Sequence, residues 1–99
     1  MEKIEDTLLY RAISYYGKYT NNQAKVLCFL VENAVDNRIY PSIKKISEAT
    51  GVINSTVYAA LNALQLDGVI EKSVNQKGIL EIKQDRIDFI VKFYSKNTN

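Results

Sequence analysis

The sequence predicts an α+β fold that is mostly helical, with five helices and one small antiparallel β-hairpin. Apolar residues recur every three or four positions over five segments, as in helices with one buried face. Two β-prone runs, 69–74 and 79–83, flank Asn75-Gln76-Lys77-Gly78, which is a turn signal. The predicted elements are helices at 6–16, 21–35, 42–50, 54–66 and 85–95, a short strand at 38–40 and a hairpin at 69–83.

The bulk composition indicates one ordinary globular domain, 1–99. The chain has 99 residues, of which 46% are hydrophobic and 24% charged, so it can bury a modest core and does not have the composition of a disordered chain. It lacks a run of about 18 apolar residues, and its charged start, Met1-Glu2-Lys3, does not resemble a signal peptide. We therefore expect a cytoplasmic protein (in the host cytoplasm if the source is viral) with no membrane partner.

The first two helices are predicted from their apolar sides and their end signals. Gly17 ends helix 6–16, and Thr20 and Gln23 have the spacing of a capping box. Helix 21–35 contains six consecutive apolar residues, 26–31, and a helix that is apolar most of the way round must be covered on several sides. It is the predicted central core helix. Cys28 within it is predicted to be a small buried hydrophobe, and a single cysteine excludes an internal disulfide.

Strand 38–40 is expected to pair with the hairpin, and helix 42–50 follows it. Ser42 is a suitable N-cap for this helix, and Gly51 supplies a stop because glycine reaches left-handed backbone angles without steric cost. Val52 is expected to lie buried in the turn before the next helix. The predicted inward residues of helix 42–50 are Ile43, Ile46 and Ala49.

Helix 54–66 combines one apolar stripe with a polar opposite face. The stripe has the spacing i, i+3, i+4 and i+7 and consists of Val57, Ala60, Leu61 and Leu64. The other face carries amides, hydroxyls and one aromatic ring, from Asn54, Ser55, Tyr58, Ala59, Asn62 and Gln65. Asp67-Gly68 is expected to end the helix.

Helix 85–95, with Asp85 as its predicted N-cap, has two apolar faces. One face holds Ile87, Ile90, Val91 and Tyr94, and the other holds Phe89 and Phe93. A domain of this size can hardly bury both faces. Either the phenylalanines stay partly exposed on a single chain, or they belong to a dimer interface, which we favour. The predicted interface consists of Leu8, Tyr15, Tyr16, Phe89 and Phe93. Residues 96–99 are expected to be a disordered end.

The segment from Tyr40 to Lys72, about a third of the chain, resembles the winged helix-turn-helix domains of prokaryotic, archaeal and viral transcription regulators and of some plasmid replication initiators. The matching stretches are PSIKKISEATGV (41–52), STVYAALNAL (55–64) and DGVI (67–70). The resemblance implies that 54–66 is a recognition helix lying in the DNA major groove. It also implies that the hairpin is a wing touching the flanking backbone or minor groove, and that dimers bind inverted repeats.

Two departures from that family shape the expected contacts. Ile53 stands where the family usually has a Ser or Thr N-cap, so Asn54 or Ser55 is expected to cap one residue later. The outward face of helix 54–66 has no Arg or Lys. Asn54 and Asn62 could instead pair with adenine edges, and Tyr58 and Ala59 could meet thymine methyls, which favours an A·T-rich site.

Phosphate contacts are expected from basic and hydroxyl side chains around this helix. The net charge is only +2, but residues 38–83 hold six basic and four acidic residues, so the positive charge lies on this half of the chain. The predicted phosphate contacts are Lys44, Lys45, Lys72 and Lys77, with Ser55 and Thr56. The alternative for each lysine is an ordinary solvated surface.

The predicted function is sequence-specific binding of double-stranded DNA by a homodimer that regulates transcription, on a pseudo-palindromic site. The alternatives are a protein-interaction module that keeps the fold without DNA contact, and a plasmid or viral replication initiator. An enzyme is not expected, because the chain has no histidine, no Gly-rich phosphate loop, no paired-cysteine metal site and no nucleophile elbow. We also expect no cofactor and no metal.

Overall fold

The computed structural model describes residues 3–98, so Met1, Glu2 and Asn99 lie outside the described part of the chain. Within it, five α-helices pack mainly against one another, and one small antiparallel sheet packs beside α4. A 3₁₀ turn at Ile4–Asp6 precedes the helices. The elements are α1 (Leu8–Tyr16), α2 (Asn21–Asn33), β1 (Arg38–Ile39), α3 (Ile43–Thr50), α4 (Asn54–Asp67), β2 (Ile70–Lys72), β3 (Leu80–Ile82) and α5 (Gln84–Thr98). The α+β, mostly helical class predicted from the sequence is confirmed.

The three strands are arranged in the order β1-β3-β2, with both pairs antiparallel. As expected, β1 pairs with the hairpin, with Ile39 opposite Leu80. The hairpin strands are shorter than the predicted β-prone runs, because residues 73–79 form a loop. The Ser73 hydroxyl shapes this loop by accepting from the backbone N–H groups of Asn75 (3.3 Å) and Gln76 (3.2 Å).

Helix α2 ends two residues earlier than predicted because a tight turn follows it. Val35 and Arg38 exchange backbone hydrogen bonds of 3.0 Å, and the two residues between them, Asp36 and Asn37, have φ angles of 53° and 64°. Asp and Asn tolerate left-handed angles better than other side chains, and two positive φ values suit a two-residue hairpin turn. The sequence signal for this turn was the Asp-Asn pair.

The core is centred on α2, as predicted. Ala24, Val26, Leu27, Cys28 and Leu30 are all fully buried. The predicted stripe of α4 is also confirmed, since Val57, Ala60, Leu61 and Leu64 all belong to the core. Burial raises the pKa of the Cys28 thiol to about 12, and the nearby Glu32 carboxylate adds to the shift. Cys28 is therefore protonated at neutral pH and packs as a small apolar side chain.

Helix α5 differs from its prediction at both ends. It begins at Gln84, so Asp85 lies in the first turn and the predicted N-cap was wrong. The backbone N–H groups of Arg86 and Ile87 bond to the Lys83 carbonyl, at 3.0 and 3.3 Å, which fixes the start of the helix. It continues to Thr98, through most of the segment that was expected to be disordered. Of that segment, Asn99 lies outside the described residues.

Two side chains support this last turn of α5. Asn97 Nδ2 donates to the Phe93 carbonyl and Thr98 Oγ1 donates to the Tyr94 carbonyl, both at 2.7 Å. Along residues 3–98, none of the helices has the length and apolar character needed to span a bilayer.

Candidate nucleic-acid interface

The outward face of α4 is open to solvent over its whole length. Asn54, Ser55, Tyr58, Ala59 and Asn62, which the sequence singled out, are all exposed. Thr56 and Gln65 are half-buried, and Gln65 lines the groove beside the helix, so its assignment to the open face holds only in part. Leu66 is on the same face and is 90% exposed, although the sequence reasoning did not assign it to this face. The signal was its position, because 55, 59, 62 and 66 follow the helical repeat. This face therefore offers amides, hydroxyls and methyl groups and carries no charge.

The first turn of α4 has no side-chain cap. Its N-cap residue is Ile53, which makes no capping hydrogen bond, so the expectation that Asn54 or Ser55 would cap the helix was wrong. Helical backbone begins at Asn54 itself, which leaves those side chains within the first turn. The backbone N–H groups of this turn keep their hydrogen-bonding capacity and the positive end of the helix dipole.

Thr50 holds the turn that connects α3 to α4. Its hydroxyl donates to the Ile46 carbonyl at 2.7 Å and accepts from the Val52 backbone N–H at 3.2 Å. The sequence reasoning placed Ala49 on the buried side, but Ala49 is exposed and Thr50 is buried. Thr50 can be buried because its hydroxyl is satisfied by these two hydrogen bonds and does not have to bond to water. The predicted Ser42 cap, Gly51 stop and buried Val52 are confirmed.

A groove of about 800 Å³ lies between α4, the segment 40–43 and the hairpin. It brings together four of the predicted residues, Tyr58, Asn62, Lys72 and Lys77, and adds Tyr40, which the sequence reasoning placed in a strand. No carboxylate lines it within the described part of the chain. The lining residues are Tyr40, Pro41, Ser42, Ile43, Tyr58, Leu61, Asn62, Gln65, Lys72, Lys77, Gly78, Ile79 and Leu80.

Tyr40 fixes the hairpin loop relative to the rest of the groove. Although Tyr40 is 71% exposed, its ring lies against Gly78: a Cβ added to that glycine would be 3.2 Å from the ring atom Cε2. Gly78 also has a φ of +83°, which disfavours any other residue there. The contact places Lys77, the preceding residue, at the mouth of the groove.

Among residues 38–83, the cations without an ion-pair partner are the four lysines that the sequence predicted as phosphate contacts. Lys44, Lys45, Lys72 and Lys77 are exposed, and none has a carboxylate within 4 Å among residues 3–98. The two other cations of this half are neutralised, Lys83 by Glu71 at 2.6 Å and Arg38 by Glu81 at 3.2 Å. The hydrogen bond to Glu71 also raises the pKa of Lys83. Lys44 and Lys45 lie on α3, outside the groove.

Asp67 anchors the far end of α4. Its carboxylate accepts from Tyr19 Oη and from Arg86 Nη2, both at 2.8 Å, and lies 2.6 Å from Lys18 Nζ. Arg86 Nη1 also donates to the Asp67 carbonyl at 2.9 Å. Burial opposes ionisation of Asp67, but the bonds from Lys18 and Tyr19 and the charge of Arg86 outweigh it, so its pKa lies below the ordinary 3.8. Burial, with the bond to Asp67, raises the pKa of Tyr19.

The residues predicted to form a dimer interface lie on α1 and α5. Leu8 (60%), Tyr15 (47%), Phe89 (57%) and Phe93 (37%) are exposed, whereas Tyr16 is half-buried. Helices α1 and α5 meet through an aromatic cluster in which Tyr15 and Tyr16 lie 5.9 and 5.8 Å from Phe93, centroid to centroid. A single chain thus leaves this apolar surface open.

The described residues carry no other assembled chemistry at this site. No group of three or more His, Cys, Asp or Glu side chains between residues 3 and 98 is placed to hold a metal ion. The candidate interface consists of an uncharged helix face, an uncapped helix start and a basic groove. Comparison with known proteins found no significant match to this chain, whether among protein-family models, curated proteins or solved structures.

Proposed function

We propose that this protein is a winged helix-turn-helix regulator that binds double-stranded DNA and performs no catalysis. In this proposal α4 lies in the major groove, and the β2–β3 hairpin is the wing that contacts the flanking backbone or minor groove. The observation that carries it is the groove beside α4, which is lined by the unpaired cations Lys72 and Lys77 and by no carboxylate among the described residues. Such a surface suits a polyanion.

The dimensions and chemistry of α4 support major-groove binding. Its 14 residues span about 21 Å at 1.5 Å per residue, and the major groove admits an α-helix. Asn62 reaches out beside the groove and can pair with an adenine edge, while Tyr58 and Ala59 offer apolar contact to thymine methyls. An A·T-rich site follows from this set of side chains.

The phosphate contacts are proposed to surround this face. The exposed N-terminus of α4, with Ser55, offers hydrogen bonds to one phosphate, because an uncapped helix start attracts anions. The half-buried Thr56 adds its hydroxyl beside it, and the exposed Lys44 and Lys45 in the first turn of α3 add two ammonium groups. Such contacts fix the position of a protein on the duplex and carry no sequence information by themselves.

We further propose that two copies act together, as a cytoplasmic homodimer on a pseudo-palindromic operator. The exposed apolar surface on α1 and α5 supports this, since it comprises Leu8, Tyr15, Phe89 and Phe93, none of which lines the groove beside α4. Two-fold symmetry in the protein would be matched by inverted half-sites in the DNA. The same DNA chemistry would serve replication initiation as well as transcriptional control.

The direct test is fluorescence anisotropy with labelled duplexes selected from a random oligonucleotide pool. We expect specific binding whose affinity falls steeply between about 50 and 200 mM salt, because bound lysines release condensed counterions. The selected sites should be A·T-rich inverted repeats. Binding that is absent, or that does not change with salt, would exclude the proposal.

Asn62→Ala should relax sequence preference without removing DNA binding. A lost bidentate contact to adenine is expected to reduce discrimination at one base pair per half-site by about 1–3 kcal/mol. The measurement is competition between the selected duplex and single-base variants of it. Asn22→Ala, which changes an exposed asparagine on α2, is the matched control and should leave the preference unchanged. An unchanged preference in Asn62→Ala would show that this side chain does not read a base.

A protein-interaction module is the second candidate, and one observation favours it. Ile53 (67%) and Leu66 (90%) expose apolar side chains at the two ends of α4, whose outward face lacks Arg and Lys. A stable protein partner that protects Tyr58 and Asn62, together with no salt-sensitive DNA binding, would support this candidate over the first.

A further inference from the structure

The solvent face of α5 carries charges of opposite sign at its two ends. Asp85, Phe89, Lys92, Phe93 and Lys96 follow the spacing i, i+4, i+7, i+8 and i+11, which places them along one side of the helix. All five are exposed, and Phe89 and Lys92 lie on either side of the middle of the row. Ile87 and Ile90, on the opposite side, are buried in the core.

Among residues 3–98, the charges on this face have no oppositely charged group within 4 Å. Asp85 and Asp88 occupy the N-terminal half of α5, and Lys92 and Lys96 the C-terminal half. None of the four forms an ion pair among residues 3–98, although Asp88 Oδ1 accepts from Gln84 Nε2 at 2.8 Å. The row extends about 16 Å at 1.5 Å per residue, enough for an interhelical contact of several turns.

We infer that this face binds α5 of a second copy in antiparallel orientation, about a two-fold axis between positions 90 and 91. The inference rests on the homodimer part of the proposed function and is independent of DNA binding. In a two-fold symmetric dimer the same face of both copies meets, so that face must be complementary to itself. The acidic half of α5 meets the basic half of the second copy only when the two helices run antiparallel. Asp85 then lies opposite Lys96 of the second copy, and Phe89 lies opposite the apolar stem of Lys92.

A parallel arrangement would set carboxylate against carboxylate and ammonium against ammonium. Like charges at such distances repel, so the charge order itself selects the reversed orientation. The antiparallel arrangement also repeats each ion pair on the other side of the axis, so every pair occurs twice in the dimer.

The aromatic side chains on this face are already held in place in the single chain. The Phe89 ring centroid is 6.1 Å from that of Tyr16 and 6.4 Å from that of Phe93, and Tyr16 contacts Phe93 as well. Rings that are ordered before binding lose little conformational entropy on association. The same register brings Phe93 of the second copy toward a depression of about 370 Å³ beside Phe89, lined by Tyr16, Asp85, Arg86, Phe89 and Ile90.

The test is sedimentation velocity on the full chain without DNA, using charge-reversed pairs. The wild-type chain should dimerise, and Lys92→Glu/Lys96→Glu should raise the dimer dissociation constant at least about tenfold. Both Asp85–Lys96 pairs become repulsive in this variant, and each Phe89 loses the apolar stem of the facing Lys92. Asp85→Lys/Asp88→Lys should do the same. An equimolar mixture of the two variants should dimerise, since an all-acidic face then meets an all-basic one.

A charge-matched variant separates this register from a general effect of net charge. Lys3→Glu/Lys25→Glu changes the net charge equally, just before the 3₁₀ turn and on α2, and should dimerise as the wild-type chain does. A monomeric wild-type chain, or a mixture that stays monomeric while circular dichroism shows both variants folded, would overturn the inference.

A cross-linking pair keeps the inference testable if Asp85→Lys/Asp88→Lys does not fold. Oxidation of Asp85→Cys/Lys96→Cys should give a covalent dimer, because the two positions face each other across the axis. Asp85→Cys alone should not cross-link. A double variant that also fails to cross-link would overturn the inference.

Discussion

Asp67→Ala is expected to lower the free energy of unfolding by about 2–3 kcal/mol at pH 7. The change leaves the Arg86 guanidinium and the Tyr19 hydroxyl without the acceptor that each bonds at 2.8 Å. Lys18 is 46% exposed, so water replaces its partner and it contributes little to the loss. Urea denaturation followed by circular dichroism measures the effect.

The size of this effect should depend on pH in one direction. The Asp67 pKa is depressed in the folded chain, so its ionised form stabilises the fold above the unfolded pKa of about 4. That stabilisation is lost as the pH falls through the folded pKa. The difference in unfolding free energy between the wild-type chain and Asp67→Ala should therefore narrow as the pH falls from about 5 through the folded pKa of Asp67.

Glu48→Ala is the control for the Asp67 prediction. Glu48 is an exposed acid on α3 with no cation within 4 Å in the described part of the chain, so its loss should change stability by less than about 0.5 kcal/mol. Equal effects of the two changes, or a gap for Asp67→Ala that does not vary with pH, would mean that the Asp67 bonds do not stabilise the fold.

Lys72→Gln/Lys77→Gln is expected to weaken binding of the selected duplex about 100-fold, and to weaken other duplexes alike. Both side chains line the groove and have no carboxylate partner among residues 3–98, so the proposal assigns each to a phosphate. Four lysines are lost per dimer, which should reduce the slope of log affinity against log salt by about 4. Anisotropy titrations at several salt concentrations give both quantities.

A variant with the same net charge separates a local from a general electrostatic effect. Arg11→Gln/Lys25→Gln also removes two positive charges, but from α1 and α2, outside the groove. It should retain nearly the full slope of log affinity against log salt. If both double variants lose affinity equally, the groove does not contact DNA and only the total charge of the protein matters.

Sequence reasoning succeeded where the signal is local. The Thr20–Gln23 capping box is present with both of its hydrogen bonds, and the apolar stripe of α4 is buried as its spacing requires. Each of these depends on residues within about two helical turns of one another. The same holds for the exposed face of α4, because burying one side of a helix exposes the other.

The features that were missed depend on contacts between distant residues or on hydroxyl chemistry. Asp67 was seen only as a helix end, yet its partners Tyr19 and Arg86 are 48 and 19 positions away. Tyr40 meets Gly78 only after the hairpin folds back over it. Thr50 is buried in place of the predicted Ala49 because its hydroxyl forms hydrogen bonds within the turn. The spacing of apolar residues cannot indicate such bonds.

Arg86 links the end of α4 to the start of α5 through two donors to one residue. If α5 joins two copies as inferred, these Arg86–Asp67 hydrogen bonds connect the dimer interface to the DNA-reading helix of each copy. The separation of the two reading helices would then be rigid, so the protein would tolerate little insertion or deletion between half-sites. A substitution that removes these hydrogen bonds would broaden the range of half-site spacings that the dimer binds, while the DNA-binding surface and the dimer interface stay unaltered.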